Sequence, residues 1–302
     1  MQSIFQRLSV LIGVYLLFCA TALASRELKD ELGRSVILPD NPHRVVCLAP
    51  SLTETVYALG QGATVVGVTD FTDYPTEAQK KTSVGGLNDA SVEKIVSLHP
   101  DLVLSLSEIN REETADELEH LGIPVYVVDP QGLRGIMASI QHVGDALNRS
   151  SDARALLARL EERCESVAGR VRGLPRLKVL VVIWYDPVIT VGNKSFISDV
   201  IAAAGAESIT ADMDQAWPQI SMEEVLRRSP DRVLLIKASH GGISGGQLKA
   251  HAGWDQLQAI RDNHIIYMGD KFIHPSPVVI DALEQLAKQL HPEVFQSMRG
   301  NP

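Results

Sequence analysis

A chain of 302 residues, 45% apolar and 22% charged, is too long for one small domain and long enough for two globular lobes. Its 37 acidic residues outnumber 28 basic ones, for a formal net charge of −9, which argues against the basic surface a nucleic-acid binder needs and leaves small ligands and basic membrane partners open. Aromatic residues make up only 5%, so a ring beside a strand end carries weight.

Residues 1–24 read as a cleavable signal peptide. Arg7 supplies the positive start, Leu8 to Cys19 is an apolar run broken only by Ser9 and Gly13, and Ala22-Leu23-Ala24 is a small-x-small cleavage site that sets the mature start at Ser25. The run is short for a membrane span. Cys19 follows the bulky Phe18, which disfavours lipid attachment there. The chain is therefore expected to be exported.

Residues 25–148 then read as an N-terminal lobe. Glu27 to Pro39 alternates as an edge hairpin around Gly33. Arg44 to Ala49 is a near-continuous apolar strand, as a parallel sheet covered on both faces requires. Pro50 stops it, and Ser51-Leu52-Thr53-Glu54 has the letters of a capping box opening a helix that ends at Gly60. Further strands fall at Val65–Val68, Leu102–Leu106 and Val125–Val128, with helical patterns at Glu112–Leu121 and Leu133–Leu147. Residues 149–172 change character: the charged, proline-free stretch Ser150–Val171 predicts one linking helix about 33 Å long. Residues 173–302 restart the βα pattern as a C-terminal lobe, with strands at Lys178–Ile183, Val233–Ile236 and Ile265–Met268 and a closing helix Val278–Leu290. The fold class is α/β: two Rossmann-like lobes, one long joining helix, and a ligand cleft between the lobes.

An internal repeat supports two lobes. SVEKIVSLHPDLVL at 91–104 and SMEEVLRRSPDRVL at 221–234 each parse as a capped helix, a proline stop and a strand. Ser91 and Ser221 are the expected N-caps, which puts Glu93 and Glu223 at the second helical position. An acid there complements the helix dipole by roughly 0.3–1 kcal/mol. The dipole leaves open why both lobes use the same offset. Related lobes would present both carboxylates on one edge, suited to arginines of a partner.

No metal or catalytic site stands out. Cys47 lies in an apolar strand and Cys164 in a charged helix, so both are expected to be unpaired, and the histidines form no metal-type cluster. Gly242-Ile243-Ser244-Gly245-Gly246 has the letters of a hydrolase nucleophile elbow, with His240 or His251 as the base. Ser244 sits several residues past its strand among glycines, which favours a surface loop.

The segments RVVCLAPSLTETVYALG, VVGVTDFTDYP and the repeated S-x-E…P-D-x-V-L resemble periplasmic binding proteins for cobalamin, iron–siderophore complexes and haem. WPQISMEEVL at 217–226 is most similar to cobalamin-binding members. The resemblance spans residues 43–292. It implies no enzyme activity and no intrinsic cofactor, a monomer that captures a cobalt or iron chelate, and delivery to an inner-membrane ABC permease and its ATPase, with an outer-membrane receptor upstream. It also implies that Glu93 and Glu223 dock into arginine pockets of the permease. Trp217 matches a cleft aromatic of cobalamin-binding relatives, and Phe71 keeps a ring where they have tyrosine. Leu87 replaces a tryptophan and His274 an arginine, so the ligand is cobalamin first and an iron–siderophore or haem second. His274 reads either as a metal ligand or as a plain loop histidine. Ligands of α/β lobes lie beyond the carboxyl ends of strands, which selects Ser51, Leu52, Phe71, Tyr74, Leu87, Trp184, Tyr185, Trp217, Phe272 and His274.

Overall fold

The computed structural model describes residues 25–237 and 244–296. The proposed signal peptide, His240, Gly242 and Ile243 lie outside the described residues.

The chain opens on a hairpin of β1 (Ser25–Lys29) and β2 (Ser35–Pro39), turned at Gly33 with φ +80°. A five-stranded parallel sheet follows, built from β3 (Val45–Cys47), β4 (Val65–Val68), β5 (Thr82–Ser83), β6 (Leu102–Leu106) and β7 (Val125–Val128). Its spatial order is β5-β4-β3-β6-β7, so the winding reverses between β3 and β6. The strands β3, β6 and β7 are buried throughout, which explains their apolar sequences, interrupted only by Ser105 in β6. Helices α1 (Pro50–Ala58), α2 (Val92–Ser97), α3 (Glu112–His120) and α4 (Gly132–Ala146) make the crossovers.

The predicted linking helix is present as α5 (Ser150–Val171), which buries Ala153, Leu156, Leu160, Val167 and Val171. Beyond it, β8 (Leu177–Val182), β11 (Ala206–Ser208), β13 (Arg232–Lys237) and β14 (Ile265–Gly269) form a second parallel sheet in the order β11-β8-β13-β14. Here too the winding reverses beside the first strand. The short strands β9 (Trp184–Tyr185), β10 (Val188–Ile189) and β12 (Gln219–Ile220) form a separate antiparallel sheet. Helices α6 (Phe196–Ala203), α7 (Met222–Arg228), α8 (Gly245–Lys249), α9 (Gln258–Arg261), α10 (Val279–Leu290) and α11 (Pro292–Phe295) complete the described chain.

The two sheets share one apolar core. Its largest cluster runs from Val45 and Leu104 in the first sheet, through Ile136, Ile140, Leu156 and Leu160, to Ile197, Val179 and Leu234 in the second. Helices α4, α5, α6 and α10 thus pack as an apolar slab between the lobes. Among the described residues, Cys47 and Cys164 are free, as expected.

The repeat has a structural explanation. Ser91 and Ser221 cap α2 and α7 by accepting the amides of Lys94 and Glu224. His99 and Ser229, at matching offsets, both turn the chain at positive φ, 47° and 48°. The aspartate after each proline then clamps the first strand of its sheet. Asp101 donates its amide to the Arg44 carbonyl and accepts the amides of His43 and Arg44, while Asp231 donates its amide to the Lys178 carbonyl and accepts the Lys178 amide.

One local expectation fails. Ser51 does not cap α1: the N-cap is Ala49, Pro50 occupies the first turn, and no capping box forms. Glu54 is turned into the interior instead. The proline supplies the helical φ at the start and has no N–H to satisfy, which removes part of the need for a side-chain cap.

Candidate functional site

The carboxyl ends of both sheets open onto one interlobe cleft. Leu106, Glu108 and Ile109 follow β6, and Pro130 and Gln131 follow β7. The second lobe supplies Lys194, Ser195 and Phe196 at the start of α6, Ala216 and Trp217 before β12, and Ile273 and Pro275 after β14. The cleft is tight, with about 60 Å³ open to a water-sized sphere behind an exposed mouth. It lies beyond the carboxyl ends of β6, β7 and β14, the end at which open α/β sheets bind ligands.

The cleft walls are apolar with polar corners. Gln131 donates to Glu108 and Asp129 on the first lobe, and Lys194 pairs with Asp214 at 3.1 Å on the second. Phe196 follows the N-cap Ser195, whose hydroxyl accepts the Ile197 amide.

Of the ten ligand-facing expectations, Trp217 lines this cleft, with nearly half its surface uncovered. Phe71 and Tyr74 are also exposed, in the loop after β4. The Tyr74 ring carries the Lys271 ammonium from the other lobe at 3.5 Å. Leu87 is half-buried against the shared core, and its carbonyl accepts from Asn110. Trp184 is exposed and stacks on Tyr185 at 5.3 Å, and Tyr185 packs against His251 at 4.3 Å. Those rings sit on the small antiparallel sheet, and Tyr185 and His251 line a separate depression with Ser221 and Met222.

Three expectations need correcting. Phe272 is fully buried in the shared core, and Leu52 belongs to the same core. Ser51 is buried in the first turn of α1. Strand ends mark the right end of the sheet, but helix and loop residues there also plug the core, and sequence position does not separate the two groups. Conversely, Glu108, Ile109, Gln131, Lys194 and Phe196 line the cleft without having been singled out. Their signal was position just past β6 and β7 and at the cap of α6.

His274 is largely covered between the cleft residues Ile273 and Pro275. Its Nδ1 lies 2.8 Å from Glu54 Oε1, and the Ser276 hydroxyl donates to the other oxygen of the same carboxylate. Burial disfavours the imidazolium, but the Glu54 hydrogen bond and charge, with Asp73 and Asp270, outweigh it and hold His274 above its ordinary value.

Glu93 and Glu223 both occupy the second helical position and are exposed, without an ion pair among the described residues. The adjacent Glu224 is committed: hydrogen bonds from Arg227 and Arg228 pull it down to about 2. Ser244 caps α8 in a capping box with Gln247, with extended backbone rather than a strained elbow. His251 is engaged with Tyr185, so a hydrolase triad has no support here.

A periplasmic binding protein family model matches residues 45–272. A vitamin B12-binding protein of Salmonella choleraesuis is 31% identical over 247 residues, covering 82% of this chain and 90% of its own. An uncharacterized ABC transporter substrate-binding lipoprotein of Bacillus subtilis is 28% identical over 276 residues, covering 88% and 86%. Among solved structures, the periplasmic heme-binding protein RhuT from Roseiflexus superposes with a TM-score of 0.77 at 25% identity, covering 83% of this chain and 99% of its own. The periplasmic vitamin B12 binding protein BtuF of Vibrio cholerae gives a TM-score of 0.70 at 24% identity, covering 84% and 98%. With the two-sheet fold and its shared cleft, these matches place the molecule: the chain belongs to the periplasmic binding protein family, as a substrate-binding protein of ABC import of the type that includes vitamin B12 and haem binders.

Proposed function

We propose that the protein captures a corrinoid, cobalamin first, in the interlobe cleft and hands it to an inner-membrane permease. The observation that carries this reading is the cleft itself: the strand ends of both sheets converge on it, and it presents Trp217. Relatives at 29–31% identity that are named vitamin B12-binding proteins support the ligand class. An iron–siderophore or haem ligand is the second reading, favoured by the RhuT likeness. In either case the metal arrives with the ligand and the protein holds no cofactor of its own.

Docking rests on Glu93 and Glu223. Both carboxylates are exposed at the same turn of the repeated unit and unclaimed by neighbours among the described residues. Basic pockets on a permease would meet them as charge-assisted hydrogen bonds. Export with cleavage after Ala24, action as a monomer, and an outer-membrane receptor upstream complete the proposal.

Tryptophan fluorescence titrated with cyanocobalamin, hemin and a ferric hydroxamate tests the ligand. Saturable quenching by cyanocobalamin at micromolar concentration or below is the expected result. Saturation by hemin or the hydroxamate alone would transfer the site to that ligand.

A further inference from the structure

Glu54 is a buried carboxyl group that the ligand cleft and the docking surface leave unexplained. It sits on α1 of the first lobe with its side chain fully covered, and both its partners, His274 and Ser276, belong to the second lobe. The rest of the lobe junction is mainly apolar, where α4 meets α6. Apolar faces can pack in more than one register. A buried charge with two designated partners accepts only one, because any other leaves it unpaired.

The loop that Glu54 holds is also a cleft wall. Ile273 and Pro275, on either side of His274, both face the cleft. Ser276 is fully buried, and its hydroxyl accepts the Val278 amide at the approach to α10. Glu54 therefore grips the loop at two points, and the cleft wall lies beside one and between the two.

We propose that Glu54 is a positioning residue for the ligand cleft: by holding His274 and Ser276 across the lobe boundary, it fixes where the Ile273–Pro275 wall stands. The inference rests on the interlobe cleft being the ligand site. The acids that face His274 are Glu54 from α1, Asp73 from the loop after β4, and Asp270 from its own loop. The Lys271 ammonium lies nearby over Tyr74. The histidine is held above its ordinary value, so the charged pair is complete below that ordinary value and is lost as pH rises through the raised one.

The test compares wild type with Glu54→Gln, Ser276→Ala and His274→Arg. Two readouts apply: amide hydrogen exchange of residues 273–279 without ligand, and the Kd for cyanocobalamin. Glu54→Gln is expected to raise loop exchange and Kd each by about tenfold, the loss of a charged hydrogen bond, while amides of β6 and β13 stay protected. Wild-type loop exchange, corrected for its intrinsic pH dependence, rises as pH climbs above about 6.5, the ordinary imidazole value, and His274→Arg flattens that profile because arginine stays charged. Unchanged loop exchange in both Glu54→Gln and Ser276→Ala would overturn the proposal. Faster exchange with unchanged Kd would also overturn it, since the grip would then not set the cleft. If wild type binds no cyanocobalamin, the corrinoid reading falls by itself, and loop exchange with its pH profile still decides the role of Glu54. Should Glu54→Gln fail to fold, Ser276→Ala and the His274→Arg profile carry the decision.

Discussion

Replacing Trp217 with alanine should weaken ligand binding without unfolding the protein. Trp217 leaves 45% of its surface exposed at the cleft. For a side chain of about 250 Å², that is about 110 Å² available to a ligand. At about 25 cal/mol per Å², full coverage is worth about 2.8 kcal/mol, and coverage of one face about half that. Trp217→Ala should therefore raise Kd between about tenfold and about a hundredfold. Isothermal titration with cyanocobalamin reads this directly, and quenching of the remaining tryptophans gives a second measure. Because the ring is already half solvated, the thermal midpoint should move by no more than a few degrees. A Kd within twofold of wild type would refute the placement of the ligand against this ring.

The other predictions address separate parts of the molecule. Reversing Glu93 and Glu223 together to arginine should abolish uptake by a transport-competent cell while leaving Kd unchanged; loss of binding instead would merge the two surfaces. Gly205→Ala should cost about 1–3 kcal/mol in urea unfolding, because its φ is +82° and an added Cβ would sit 2.8 Å from Val171 at the end of the linking helix. Burial pushes the Cys47 thiol up to about 12, so native protein at pH 8 should leave it unlabelled by a thiol reagent that reaches it after unfolding. For the same reason stability should fall as pH rises above 9.0, the unperturbed thiol value, where only the unfolded chain ionises there. Ser244→Ala should remove a helix cap worth about 1 kcal/mol and leave ligand affinity intact; a change in affinity would reopen a role for this loop in the cleft.

The sequence made the scaffold readable because periodicity reports burial. β3, β6 and β7 are apolar on both faces and announce a covered parallel sheet, and the linking helix Ser150–Val171 shows its apolar stripe without a proline to interrupt it. The repeat was readable because its residues do the same backbone work twice, down to the aspartate that clamps the first strand. The small sheet of β9, β10 and β12 was not, since two-residue strands have no period to detect. The cleft was legible only in part. Trp217 stood out by ring and position, whereas Phe272 has the same credentials and is core. Glu54 was misread for a related reason: its spacing from Ser51 satisfies a local rule, and the long-range partners at 274 and 276 that decide its direction have no local signature.

The apolar slab between the lobes bears on how an importer would read this molecule. A core shared by both sheets makes the protein behave as one rigid body, so loading the cleft should barely alter the spacing between Glu93 and Glu223. Under the docking proposed above, the partner meets a caliper of fixed span, whether the jaws are full or empty. What would differ is resistance: a ligand lodged in the cleft adds contacts to both jaws that must break before they can part. The importer would then sense cargo as compliance rather than shape, and the work of prising the jaws apart would come from its ATPase and not from the binding protein.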